Sequence, residues 1–514
     1  MKNYHNLLNT ALALLFIFFT SCEKEESFLS TVNPNQVTTE TFFNTVTDAT
    51  NAVNAVYAPL QSGNMYHNSY FSMFDVGIEM KPNSNMPGSW HISTFSFIST
   101  DETITKVWRG LYQIITRANY AIANIEKMEK LETSVKNRLL GEAHFLRGWA
   151  YFELAFHWGR VPLVLDVPET SDETNIPRSE NELMIYEQAI NDLLFAKDNL
   201  PVSYAATDVG RATKGAAIGY LGKINLYMAS PGVNLKSNGY QEAESYLNQL
   251  INSGEFAYDL MDNYIDNFTW FFENNEESLF EVQYTNVGGN TGYWGDHDNA
   301  GVAEGTNRAR TFGYLTWFNA YMNPAYISRF ADEDPRLRYT AYGPPTPAHP
   351  EPMKIYNDVE YNRTDWCARK YERYDYIPAS QENGDSPINF RVLRFADVLL
   401  MYAEALIEQD KVSEAIPFIN RVRQRPTVNL PELPLTLSKE EARTALRNER
   451  LWEFGLEQIR MKDAIRWGAD FAENEFDISG IEAFDFNTHR YFPIPQQEID
   501  YNLAIDDSDQ NPGY

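Results

Sequence analysis

The stretch NRLLGEAHFLRGWAYFELAFHWGRVPL, residues 137–163, constrains the fold more than any other part of the chain. Leu139, Ala143, Leu146, Ala150 and Leu154 recur every three or four residues, the repeat of one helix face. Phe145, Trp149, Phe152 and Phe156 make a second, aromatic stripe on the same repeat. A helix that is apolar on two sides must be covered on two sides, so it belongs inside a stack of helices. Gly159 and Pro162 mark its end.

Comparable helices recur. Residues 210–230 carry small residues where a partner helix must come close, and a helical pattern over 240–254 follows. Residues 394–425 read as two helices around a short polar turn. Their Leu400, Tyr402, Ala403 and Ala405, followed by Glu414, Ala415 and Ile416, resemble the tetratricopeptide pattern. Two further pairs join 47–60 to 107–130 and 137–158 to 181–199. The spacing is irregular and the insertions are long, which predicts a mostly α, helical-repeat scaffold with elaborated loops and a few short strands. FEVQY, 280–284, alternates like one such strand. In 449–468 the charges of Glu449, Arg450, Glu453, Arg460, Asp463 and Arg466 alternate in sign at helical spacing, which predicts an ion-paired helix surface.

The apolar run 11–19 is far short of the roughly 20 residues that span a bilayer. Lys2 precedes it, and Thr20 and Ser21 lead to Cys22. This is the layout of a secretory signal over residues 1–21, and the cysteine after it resembles a bacterial lipobox in which Cys22 is acylated. Cys367 then has no partner and reads as a small buried apolar residue. The 514 residues suffice for two to three domain-sized units. A formal net charge of −29 excludes nucleic acid as a partner. It also opposes any general attraction to anionic lipid or polyanionic glycan, leaving only a local basic pocket open.

Four stretches together resemble the SusD/RagB glycan-binding lipoproteins of the Bacteroidetes outer membrane. They are GEAHFLRGWAYFELAFHWGRVPL, RFADVLLMYAEALIEQ with INRVRQR, ERLWEFGLEQIRMKDAIRWG, and YFPIPQQEI with the terminal QNPGY; WRGLYQIITRAN, 108–119, fits as well. The resemblance spans nearly the whole chain in order. It departs at Gln458, where the family often has glycine, and at Gly148, where alanine is common; both are placed in structural helices.

The resemblance implies four tetratricopeptide-like helix pairs and a lipid-anchored position at the outer membrane, facing out. It implies a SusC-like TonB-dependent transporter as partner, over which the protein acts as a lid that delivers oligosaccharide or polysaccharide. It divides the chain into a signal (1–21), an N-terminal region (22–228), a connecting helix pair (229–274) and a C-terminal region (275–514). No cofactor, metal or catalytic residue is implied. The acidic, Lys-containing run Glu23–Glu26 resembles the export tag of surface lipoproteins in these bacteria, a solvated spacer being the other reading. Peptide binding or protein adaptation on the same fold is the alternative function, with glycoside hydrolysis a remote third.

Sugar recognition calls for aromatic faces to stack on pyranose rings and for polar side chains to meet hydroxyls. Of the ten tryptophans, Trp108, Trp149, Trp158, Trp452 and Trp467 sit in helical motifs and read as core, as does Trp270 in TWFF. Trp366 is ambiguous. Trp90, Trp294 and Trp317 remain as candidates in loops, with Tyr293 as an accessory. Asp296 and Asn299 are candidate polar contacts in the same glycine-rich loop. Adjacent residues such as Asp296-His297-Asp298 rarely converge on one ion, so no metal is assigned there. Arg308 and Arg310 read either as a clamp for a uronic acid or as surface charges.

Overall fold

The computed structural model describes residues 43–83, 87–285, 305–314, 316–355, 359–372 and 386–514. Among them are 18 helices and three two-stranded ribbons, so the chain is mostly helical. None of these helices is long and apolar enough to cross a membrane.

Eight helices form the scaffold in four consecutive pairs. Val46–Tyr57 (α1) packs on Glu102–Glu126 (α2), and Thr133–Trp158 (α3) packs on Leu183–Asn199 (α4). Lys214–Ala229 (α5) packs on Gly239–Asn252 (α6), and Phe395–Glu408 (α7) packs on Val412–Arg423 (α8). Each pair also touches the next, α2 on α3, α4 on α5 and α6 on α7, so the stack is continuous. Both pairs drawn from the sequence are present. Local chemistry sets the starts: Thr45 and Asp48 make a reciprocal capping box on α1, and the Asp101 carboxylate accepts from the Thr103 and Ile104 amides of α2.

The two stripes of α3 do what two stripes require. Leu139, Leu146 and Leu154 are fully buried, as are Phe145, Trp149 and Phe152. Gly148 makes the packing close: a Cβ there would lie 2.9 Å from the Ala189 carbonyl oxygen of α4 and 3.0 Å from the Asp192 Cβ. The departure from alanine is therefore the condition for this helix pair's approach. The predicted strand is also present, as Ser278–Val282 (β2), paired antiparallel with Phe390–Arg394 (β6).

The charged run 449–468 corrects the sequence reading twice. It is not one helix: Lys439–Glu453 (α9) stops, Leu456 and Gln458 take left-handed φ of 62° and 56°, and Arg460–Arg466 (α10) begins. Gln458 thus occupies a turn whose conformation favours glycine, not a helix. Its side-chain amide donates to the Asp75 carboxylate at 2.8 Å, and its backbone amide donates to the same group at 3.2 Å. That contact offsets the strain of the left-handed backbone.

Nor is the run a surface. Glu449, Arg450, Glu453, Arg460, Asp463 and Arg466 are all buried. Glu453 is met by Arg425 at 2.9 Å and by Arg394 and Arg336 at 3.0 Å. Glu277 accepts from Arg425 at 2.6 Å and also from Arg394, and Glu457 accepts from Arg394 at 2.7 Å and Lys370 at 2.9 Å. Alongside, Arg450 joins Asp397 and Asp463, while Arg466 joins Asp463 and Glu404. Periodicity shows that charges share a helix face but not what covers that face. Here Arg394 of β6, Asp397 and Glu404 of α7, and Arg336 and Arg425 supply complementary charges, so the face is covered.

Burial pushes the Glu453 carboxyl up, but Arg425, Arg394 and Arg336 outweigh it and hold it at about 2. Glu475 on Ala469–Ile478 (α11) is likewise raised by burial and brought down to about 2 by Arg460. The folded values lie below the ordinary 4.5. Their contribution to stability is therefore complete above that value and is lost as pH falls from 4.5 toward 2. Thermal melting at stepped pH should show a steep loss in that window, shallower in Glu475→Gln. Glu453→Ala leaves three guanidiniums short of a buried counter-charge and should cost roughly 3–5 kcal/mol in denaturant unfolding at neutral pH.

Candidate functional site

Two of the three loop tryptophans fall on described residues, and both are open to water: Trp90 is 54% exposed and Trp317 is 39% exposed. Tyr293, Trp294, Asp296 and Asn299 lie outside the described residues, as does Cys22. Trp90 is not in a loop but on the short helix Pro87–Thr94, whose Ile92 and Ser93 are buried.

A small ribbon lies next to both tryptophans in sequence. Met80–Pro82 (β1) pairs antiparallel with Ala320–Met322 (β3), Pro82 opposite Ala320. Asn83 extends the pairing: its amide donates to the Asn319 carbonyl at 2.7 Å and its side chain donates to the Phe318 carbonyl at 3.1 Å. The same end of the ribbon therefore leads into Trp317 on one strand and, across 84–86, into Trp90 on the other.

Trp317 is held by its backbone. Its amide donates to the Arg310 carbonyl at 3.2 Å, and the Asn319 amide donates to the Thr311 carbonyl at 2.9 Å, closing a loop. The Thr316 hydroxyl reaches the Ala309 and Gly313 carbonyls, each at 3.0 Å. Between the two closing bonds Phe318 sits at φ 49°, a left-handed conformation that is rare for a bulky side chain. That twist separates the two neighbouring rings: Phe318 is 4% exposed and packs inward, whereas Trp317 faces out. Strain fixed in this way marks a site whose geometry the surroundings over-determine.

The arginine expectations are overturned. Arg308–Phe312 is a short helix with all five residues buried. Arg308 pairs with Asp75 at 2.6 Å and donates to the Leu456 carbonyl at 3.1 Å, so it is a core cation. Arg310 is 5% exposed, with its guanidinium 5.8 Å from the Trp317 ring centroid; it backs the ring from inside the protein. Neither arginine is the surface clamp that the sequence suggested.

A third segment completes the surface. The Tyr314 hydroxyl donates to Asn362 Oδ1 at 2.7 Å, and the Tyr314 and Tyr361 rings lie 4.7 Å apart. Arg363 places its guanidinium 4.1 Å from the Phe318 ring centroid and 5.8 Å from that of Tyr314. Burial pushes the Tyr361 hydroxyl and the Cys367 thiol up, so both are neutral near pH 7. The surface therefore offers open rings, an amide and a guanidinium. Sequence reasoning missed 361–363; the available signal was Asn-Arg flanked by Tyr361 and Trp366 just after the proline-rich connection.

Trp270 also corrects an expectation. It is 36% exposed, beside exposed Phe271 and Phe272, because Tyr264 and Phe268 of the preceding turn fill the core instead. A cleft of ≈ 1070 Å³ lies elsewhere, between α1, α2, the 162–176 segment and 495–502; Tyr112, Tyr120, Arg117 and Tyr501 line it. It contains none of the candidates, although WRGLYQIITRAN and YFPIPQQEI contribute to its lining. Among the described residues no cluster of three or more His, Cys, Asp or Glu is arranged to hold a metal.

Gly313 lies in the Trp317 loop, and a Cβ there would collide with the Ala309 carbonyl oxygen and the Glu372 carboxylate. Gly313→Ala should displace the loop, shifting tryptophan emission while lowering the melting temperature by only a few degrees.

Two family models match the chain: "SusD family" over residues 276–514 and "Starch-binding associating with outer membrane" over residues 27–226. A SusD-like protein of Bacteroides ovatus is 26% identical over 497 residues, covering 89% of this chain and 81% of the relative. The crystal structure of a SusD superfamily protein from Bacteroides vulgatus superposes with a TM-score of 0.77 at 24% identity, covering 92% of this chain and 100% of that one. A laminarin-binding SusD-like protein superposes with a TM-score of 0.72, also at 24% identity, covering 92% and 100%. At these identities the superpositions show a shared fold.

Proposed function

Because this chain belongs to the SusD family, we propose that it binds oligosaccharide or polysaccharide at the Trp90 and Trp317 surface, without catalysis. It is read as a lipoprotein acylated at Cys22, held at the outer membrane, that passes its ligand to a TonB-dependent barrel and closes over it as a lid. The observation that carries the reading is Trp317, an open aromatic face on a strained, hydrogen-bonded loop beside the Asn362 amide. Such a face meets the C–H surface of a pyranose without losing conformational freedom on binding. The laminarin-binding neighbour and the outer-membrane description of the second family support it.

Tyr293, Trp294, Asp296 and Asn299 join this reading as further ligand contacts. Non-catalytic binding is supported by the state of the carboxylates buried in the 449–468 region, where Glu449, Glu453, Glu457 and Asp463 are each held by basic side chains.

Affinity electrophoresis or calorimetry of the mature protein against a panel of soluble polysaccharides tests the reading. Trp317→Ala and Trp90→Ala should each weaken binding at least about tenfold, about 1.4 kcal/mol. A protein that binds no glycan, or whose binding ignores both substitutions, would sink it.

A further inference from the structure

Arg363 is set apart from the other arginines of this surface. Arg308 is buried against Asp75 and Arg310 is buried beneath Trp317, whereas Arg363 is exposed. Its contacts among the described residues are the Phe318 and Tyr314 rings, and no carboxylate of those residues lies within ion-pairing distance of it. In a chain with 71 acidic and 42 basic residues, an arginine left without a carboxylate calls for an explanation. Asp365, two residues on, is exposed and does not pair with it.

The stacking itself has a chemical consequence. A guanidinium laid against an aromatic ring covers one face and stays fully charged, while its N–H donors point outward in the guanidinium plane. Held in this way, it presents a pre-ordered fork that matches the two oxygens of a carboxylate or sulfate. The rings that hold Arg363 also set the Trp317 loop: Phe318 is the next residue, and Tyr314 lies in the same closed loop.

We propose that this surface selects anionic glycans, with the Arg363 guanidinium pairing to an oxyanion carried by the sugar that stacks at Trp317. The oxyanion is the carboxylate of a uronate or the sulfate ester of a sulfated sugar. The inference rests on the carbohydrate reading and narrows it. The net charge of −29 makes the rest of the surface repel such a polymer, so recognition depends on this local cation.

Calorimetry of the mature chain against alginate (uronate), ι-carrageenan (sulfate), laminarin and xyloglucan (both neutral), at low and raised NaCl, tests it. One anionic polymer should bind at least tenfold more tightly than either neutral one, with affinity falling as NaCl rises. Arg363→Gln should remove that preference, and Arg363→Lys should retain part of it. Whichever anionic polymer wins identifies the oxyanion. Neutral polymers bound as well as both anionic ones would overturn the proposal while leaving the carbohydrate reading intact. Loss of all binding in Arg363→Gln that Arg363→Lys does not restore would also overturn it, reducing Arg363 to a support for Phe318. No binding to any of the four would remove both readings together.

Discussion

One carboxylate, Glu453, is shared by Arg336, Arg394 and Arg425, and each of these comes from a different part of the C-terminal region. Arg394 begins the α7–α8 pair, Arg425 follows it, and Arg336 opens a short helix between the loops. Isolated buried ion pairs seldom stabilise a fold, because desolvation consumes the Coulomb gain. A network in which every charge meets two or three partners behaves differently, since removing any member strands the others. Its value lies in position: it allows one arrangement of helix pair, ribbon and loop, and penalises the rest.

That rigidity reaches the proposed site through short connections. Lys370, which meets Glu457, is two residues beyond the ribbon strand Cys367–Ala368, and Arg363 is four residues before that strand. Asp75, which holds both Arg308 and Gln458, stands five residues before β1. The Trp317 loop therefore hangs between two anchored elements, and neither can shift without disturbing a buried charge. A stacking surface held in this way gives up little entropy when it meets a sugar.

The helical scaffold was legible because it obeys a repeat: the double stripe on α3, the helix pairs and the β2 strand all follow from spacing. The site was legible only where elimination could work. Trp90 and Trp317 stand out as indoles without a helical stripe to bury them. The same logic failed at Trp270, because nothing local says whether it or Tyr264 and Phe268 take the core slot. It failed at Arg308, whose burial is decided by Asp75, some 230 residues earlier, and at Arg310, which lies beneath the Trp317 ring. Arg363 could not be singled out at all, since an unpaired arginine is defined by the carboxylates that fail to reach it. The oddity at Gln458 was visible, but its meaning was not: a left-handed turn is a property of the backbone, and its compensation comes from Asp75.

Two of the first half's buried carboxylates find their partners late in the chain, whereas Glu142 and Asp192 pair locally. Glu153 on α3 is neutralised by Lys462, 309 residues later, and the Asp75 carboxylate waits for Arg308 and Gln458, 233 and 383 residues on. The Trp158 carbonyl, at the end of α3, is capped by Asn511, almost the last residue of the chain. The N-terminal region can thus form its helices during synthesis, but Asp75 and Glu153 stay unpaired until the C-terminal region has been made. Long-range closure of this kind makes folding slow and keeps the half-built stack exposed to aggregation. The two family regions are separate stretches of sequence whose buried charges pair across the boundary between them.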